Sequence, residues 1–104
     1  MWEKIKFSEI AGVEKAVAEF NIWELNKCPY GKFKIKIFQN TKGLYTGYSN
    51  IQVIDKTGSF YGAVGHGNTE ESALSDTIKH YLELVSWKDD WQESDFEWSE
   101  GTDF

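Results

Sequence analysis

The chain of 104 residues has one cysteine, one proline and no arginine, and each shortage limits what the protein can be. A single cysteine, Cys28, cannot form a disulfide within the chain and suits a reducing compartment. No apolar run is long enough to span a membrane, and residues 1–7 alternate charged with bulky side chains, unlike a signal peptide. We therefore predict a cytoplasmic protein that does not bind membranes.

The absence of arginine bears on nucleic acids, because its planar guanidinium is the group that binds guanine and phosphate with paired hydrogen bonds. The eleven basic residues are all lysines. Ten of them balance ten acids in residues 1–85, whereas residues 86–104 hold one lysine and seven acids, so the net charge of −6 lies in that last stretch. We expect a basic partner and no direct binding of nucleic acid.

The centre of the chain predicts a β-hairpin. Residues 48–54 and 59–64 are rich in strand formers and are separated by Asp55-Lys-Thr-Gly58, which has turn formers at both ends. If Ile54 pairs with Ser59, one face of the hairpin carries Ile51, Val53, Phe60 and Val64.

A helix follows the hairpin. Thr69 or Asn68 is a suitable N-cap, and Glu70 and Glu71 occupy the first turn, where the helix dipole favours negative charge. Apolar and small residues then recur at helical spacing and form one stripe: Ala73, Leu74, Thr77, Ile78, Tyr81, Leu82 and Val85.

The first half of the chain predicts a second helix and a third strand. Ser8 is a suitable N-cap, and Ile10, Val13, Val17 and Phe20 repeat every three or four residues. Residues 32–38 (KFKIKIF) alternate lysine with apolar residues, as in a strand with one buried face.

The predicted fold is therefore α+β, an α-β-β-β-α two-layer sandwich with a three-stranded antiparallel sheet and both helices on one face. It would occupy residues 1–85 and be followed by an acidic, tryptophan-rich tail over residues 86–104. The uncovered sheet face would present Lys34, Lys36, Tyr48, Gln52 and Tyr61.

The order of elements and the run Gly65-His-Gly-Asn-Thr69-Glu-Glu-Ser-Ala73 resemble two families. The order is similar to that of small bacteriophage "ABA sandwich" proteins and to double-stranded-RNA-binding domains, which enter their last helix through a similar pattern. Lysines that grip phosphate in the latter family are replaced here by Glu70 and Glu71, which argues against RNA binding. Residues 45–85 also resemble HicB-type antitoxins, in which a hairpin precedes such a helix start.

No residue pattern indicates catalysis. His66 and His80 lack further ligands at metal-binding spacing, and Cys28 has no neighbouring base. We predict that the protein is not an enzyme and uses neither a metal nor a cofactor.

The tail is the strongest candidate for a binding site. If the last helix continued, Trp87, Trp91 and Trp98 would project from its side opposite the apolar stripe; otherwise the chain breaks near Ser86 and the tail folds back over the sheet. Carboxylates speed association with a positively charged surface, and tryptophans contribute much of the binding energy at protein interfaces. The tail is therefore suited to binding a basic protein surface. The predicted partner-binding residues are Trp87, Asp89, Asp90, Trp91, Glu93, Asp95 and Trp98, with Glu70 and Glu71.

The favoured hypothesis is a non-enzymatic, phage- or prophage-encoded module that inhibits a host nucleic-acid-binding or defence protein by mimicking nucleic acid. In size and charge the chain resembles small acidic phage proteins that inhibit CRISPR effectors. The alternatives are an antitoxin-like partner of a small toxin, and a nucleotide-binding sponge that uses the loop at residues 65–69. The sequence leaves the oligomeric state open, and a dimer is allowed.

Overall fold

The computed structural model describes residues 2–99, which form one antiparallel sheet with a single helix on one face. The sheet has the strand order β1-β2-β3-β4, and a short fifth strand, β5, pairs with β3. The elements are β1 (Glu14–Trp23), β2 (Lys32–Asn40), β3 (Tyr45–Ile54), β4 (Phe60–Gly67), α1 (Glu70–Leu84) and β5 (Phe96–Trp98), with 3₁₀ turns at Trp2–Lys4 and Glu93–Asp95. A loop of residues 24–31 joins β1 to β2, and shorter turns at residues 41–44 and 55–59 join β2 to β3 and β3 to β4.

The predicted α-β-β-β-α order is wrong, because no helix follows Ser8: residues 8–13 are in neither helix nor strand, and Val17 and Phe20 belong to strand β1. Within β1, Ala18 and Phe20 pair with inward-facing residues of β2, while Glu19 faces the other way. A β-bulge between Ala16 and Ala18 inserts Val17 as an extra residue. Because of the bulge, Val17 and Phe20 both pack against the core although they are three residues apart. Their spacing therefore imitates the apolar spacing of a helix.

The predicted strand at residues 32–38 and the central hairpin are confirmed, but the predicted register of the hairpin is wrong by one residue. Ile54 pairs with Phe60, and Val53 pairs with Tyr61. The aspartate of the turn, Asp55, pairs with Ser59 instead, where its amide donates to the Ser59 carbonyl at 2.8 Å. Because side chains alternate along a strand, this shift moves every residue of β4 to the face opposite the predicted one.

The helix after the hairpin is confirmed. Thr69 is its N-cap and forms a capping box with Ser72, whose amide donates to Thr69 Oγ1 at 3.0 Å. The buried side of α1 carries Ala73, Thr77 and Tyr81. From the predicted apolar stripe, Leu82 is the residue left exposed.

Glycines let α1 lie directly on β3 and β4. A Cβ on Gly65 would overlap the Thr77 amide nitrogen and lie 2.6 Å from the carbonyl carbon of Asp76. A Cβ on Gly47 would overlap Thr77 Oγ1 and lie 2.9 Å from Ile37 Cδ1. Glycine at these positions of the strands is therefore required by the close approach of the helix.

The core fills the space between α1 and the inner face of the sheet. Its buried residues are Cys28, Phe33, Ile35, Ile37, Ile51, Val53, Ala63, Ala73, Tyr81, Val85 and Phe96. At one end of the core, Glu24 accepts the Tyr81 hydroxyl at 2.8 Å and the amides of residues 26–28. Burial opposes ionisation of Glu24, but these hydrogen bonds outweigh it and lower the pKa of its carboxyl. The β1–β2 connection is thereby tied to the last turn of the helix.

We expect Gly65→Ala to destabilise the protein by about 1–3 kcal/mol, because the added methyl group forces the helix away from β4. In an open strand the same change would be mildly stabilising. Gly12→Ala is the matched control, since a Cβ there meets nothing within 4 Å. Urea denaturation followed by circular dichroism measures both variants, and equal midpoints would contradict the requirement for close approach.

Candidate functional site

The C-terminal segment, residues 86–99, folds back onto the sheet. The helix ends at Leu84 with Val85 as its C-cap, and the chain reverses to place β5 beside β3. Of the two arrangements allowed by the sequence, the structure has the one in which the chain breaks near Ser86. The last five residues of the predicted acidic tail, residues 100–104, lie outside the described residues.

Two aromatic residues hold the segment in place. Phe96 pairs with Val53, which puts its side chain on the inner face of the sheet, where it is 5 % exposed. The half-buried ring of Trp91 packs against Phe96 at 5.5 Å, and its indole nitrogen donates to the carbonyls of Val85 and Lys88. Trp91 therefore stabilises the reversal that follows the helix.

Lys88, the single lysine of the tail, lies between tryptophan rings and a carboxylate. Its ammonium group is 2.7 Å from Asp95 Oδ2, and both side chains are largely buried. The same group lies 4.9 Å from the centre of the Trp91 ring and 5.4 Å from that of Trp87. Hydrogen bonds from Lys88 and from the Gln92 amide lower the pKa of Asp95 below its ordinary value.

The remaining predicted residues of the segment are exposed. Trp87 is 36 % exposed and anchored by its indole nitrogen, which donates to the Ile54 carbonyl at 3.1 Å; Trp98 is 45 % exposed and stacks on Tyr30 at 4.8 Å. Four exposed carboxylates lie between these two tryptophans in the sequence, and we call this set, with the two tryptophans, the acidic surface: Asp89, Asp90, Glu93 and Glu97. Glu97, paired with Gln52, faces the outer side of the sheet, whereas Trp98, two residues after Phe96, faces the inner side. Within residues 2–99 the carboxylates of Asp89, Asp90 and Glu97 form no ion pair or hydrogen bond.

Glu70 and Glu71 are exposed in the first turn of α1 and therefore lie far from the acidic surface. The helix has 15 residues and so is about 22 Å long, and the C-terminal segment begins at its other end. The structure thus does not bring these two glutamates together with the tryptophans.

The outer face of the sheet is the face without a helix. Lys36 and Tyr48 are directly opposite each other there, Tyr48 packs edge-on against Phe38, and Lys34 lies 3.8 Å from Glu19. Gln52 is also on this face, paired with Gly62 and with Glu97. Tyr61 is opposite Val53 and so belongs to the inner face, although it is 51 % exposed there.

The stretch at residues 65–69, predicted as a possible nucleotide-binding loop, uses two of its backbone amides in hydrogen bonds to α1. Residues 65–67 belong to β4. The His66 amide donates to Asp76 Oδ2 at 2.8 Å, and the Thr69 amide donates to Ser72 Oγ at 3.1 Å. Two donors that a phosphate would need are therefore occupied by side chains of α1.

Sequence reasoning missed three residues that shape the site. Phe96 completes the core, and Tyr30 supports Trp98 and donates to Glu93 at 3.5 Å; neither residue is singled out by a local sequence pattern. The isolation of Lys88 among seven acids was a usable signal, because a lone cation in an acidic segment commonly finds a carboxylate partner.

Comparison of the chain with protein-family models, with curated proteins and with solved structures found no match. The resemblances to phage proteins, RNA-binding domains and antitoxins therefore stay predictions. Among the described residues, no helix combines the length and apolar character needed to cross a membrane.

We expect Asp95→Asn to loosen the C-terminal segment by about 1–3 kcal/mol, because it removes a charged hydrogen-bond partner from Lys88. The folded-state pKa of Asp95 is below its ordinary value of 3.8, so the ion pair contributes fully above that value and is lost as the pH falls through the lower pKa. The stability difference between wild type and variant should be constant near neutral pH and shrink below about pH 4.

Urea titration followed by tryptophan fluorescence measures this difference at each pH. Asp90→Asn is the control, because it removes the same charge from an exposed carboxylate without an internal partner. A difference that is independent of pH down to strong acid would show that the ion pair does not hold the segment.

Proposed function

We propose that the protein is a non-enzymatic binding module whose acidic surface docks on the basic, nucleic-acid-binding surface of a partner protein and so blocks it. The observation that carries the proposal is the combination of exposed tryptophans with carboxylates that have no ion-pair partner among residues 2–99, on a segment that is itself anchored in the fold. An inhibitor of a host nucleic-acid-binding or defence protein, of the kind expected from a phage or prophage, is the role that this surface suits best.

Anchoring of the segment supports the proposal because it lowers the entropic cost of binding. The backbone of residues 96–98 is hydrogen-bonded to β3, and Trp87, Trp91 and Asp95 each have a hydrogen-bond partner within the fold. Side chains that are already positioned lose little conformational freedom when a partner binds. A flexible acidic tail would have to be ordered at that moment.

The chemistry of the acidic surface supports a basic partner. Exposed tryptophans supply large contact areas of the type that dominates binding energy at interfaces. Unpaired carboxylates beside them raise the association rate with a positively charged surface, and salt screens this attraction. Asp89 and Asp90 are next to each other in sequence and have no cation of the described chain within ion-pair distance.

The experiment compares affinity capture by three full-length proteins from a lysate of a plausible host. The first is wild type, the second carries Asp89→Asn, Asp90→Asn and Glu97→Gln, and the third carries Glu3→Gln, Glu9→Gln and Glu14→Gln. The second and third proteins each lack three negative charges of wild type, and all six substituted side chains are exposed. A chain shortened at Val85 is unsuitable, because it would lose Phe96 from the core.

We expect wild type and the third protein to retain a basic nucleic-acid-binding protein that is released by high salt and displaced by added DNA or RNA. The second protein should retain it at least ten-fold less well, since each lost charge weakens steering and complementarity. Equal retention by all three proteins would contradict the proposal. A partner held equally in low and high salt would instead favour the antitoxin-like alternative.

A further inference from the structure

The β4 and β1 edges of the sheet differ in whether their outward-pointing backbone groups have hydrogen-bond partners. At the β4 edge, side chains from consecutive turns of α1 bind the outward-pointing amides: Val64 donates to His80 Nδ1 at 2.9 Å and His66 donates to Asp76 Oδ2 at 2.8 Å. These bonds occupy groups that another strand would need. The edge formed by β4 is therefore partly closed by the helix.

The β1 edge is open over its second half. The Glu24 amide donates to the Gly31 carbonyl in the same register, so the alternation of an antiparallel pair makes Ala18, Phe20 and Ile22 the residues of β1 that bond to β2. The backbone groups of Glu19 and Asn21 therefore point away from the sheet. These edge groups make no hydrogen bond within residues 2–99. The bulge at Val17 ends the regular part of the strand, so the open edge covers residues 18–23.

The inner face beside this edge is apolar and incompletely covered. Helix α1 packs mainly on β4 and β3, so Ala18, Phe20 and Ile22 of β1 remain only half-buried. An added strand would bring side chains against these residues and bury more apolar surface. The edge therefore offers both backbone hydrogen bonds and an apolar contact.

We infer that a second copy of this chain occupies the edge, with β1 pairing antiparallel to its own copy about a two-fold axis at Phe20. In this register Phe20 meets Phe20 of the second copy, and Ala18 meets Ile22, all on the inner face. On the outer face Glu19 meets Asn21 of the second copy, whose amide can donate to the carboxylate. The interface is self-complementary, as a two-fold contact must be.

Charge selects this register among the neighbouring ones. An axis at Glu19 would place two carboxylates directly opposite each other, which is unfavourable. An axis at Asn21 would pair Glu19 with the Trp23 ring, so that its carboxylate would gain no donor beyond the Lys34 of its own copy. The axis at Phe20 gives each Glu19 a hydrogen-bond donor and joins the four strands of each copy into one continuous sheet.

The test is sedimentation velocity of the full chain from micromolar to near-millimolar concentration. We expect wild type to pass from monomer to dimer over this range. Asn21→Glu should weaken dimerisation about ten-fold, because it sets two pairs of like charges opposite each other. Its monomer should stay folded, since the new carboxylate faces Lys34 across β2.

The double variant Glu19→Lys with Asn21→Glu should restore the dimer, because each pair across the axis then has opposite charges. Amide exchange gives an independent readout: the Glu19 and Asn21 amides should become protected as concentration rises, whereas the Phe20 and Ile22 amides, bonded to β2, are protected throughout. A wild type that stays monomeric overturns the inference and leaves the edge to a strand from another protein. Dimerisation that Asn21→Glu does not weaken, or that the double variant does not restore, also overturns it.

Discussion

One helix has to cover a four-stranded sheet, and most features of this protein follow from that mismatch. A helix is about 10 Å wide, whereas the first and last of four strands are about 14 Å apart. Helix α1 lies over β3 and β4, and glycines at positions 47 and 65 let it approach closely enough to bury Thr77 completely. The C-terminal segment then supplies Phe96 to complete the core beside β3, while the inner face of β1 is left half-covered.

The acidic surface is a consequence of the same packing. Because Phe96 and Trp91 are needed by the fold, the C-terminal segment that carries them is held against the body of the protein. Its carboxylates are then presented at fixed positions beside Trp87 and Trp98. Asp95 is not part of this surface, because its carboxylate forms an ion pair with Lys88. The residues that hold this short segment in the fold are thus different from those proposed to bind a partner.

The parts of the fold that could be predicted were those with an unbroken pattern. Alternation in β2, the Asp55–Gly58 turn and the Thr69 cap each identify an element from local chemistry. Strand β1 could not be identified, because the bulge at Val17 interrupts its alternation and gives Val17 and Phe20 a helical spacing. The docking of the tail depends on a contact between Phe96 and Val53, which are distant in sequence and leave no local signal. The residues of the candidate site could be identified from the sequence. The sequence did not distinguish Trp91 and Asp95, which stabilise the folded segment, from the residues that are exposed.

The central claim is that the acidic surface is ordered before a partner arrives. Hydrogen exchange of the tryptophan indoles in the free protein, followed by NMR, tests it most directly. The indole of Trp91 donates to two carbonyls and should exchange slowly, whereas that of Trp23, which is 69 % exposed, should exchange at the rate of an open side chain. Fast exchange of both indoles would show that the segment is not held in the free protein and would contradict the account.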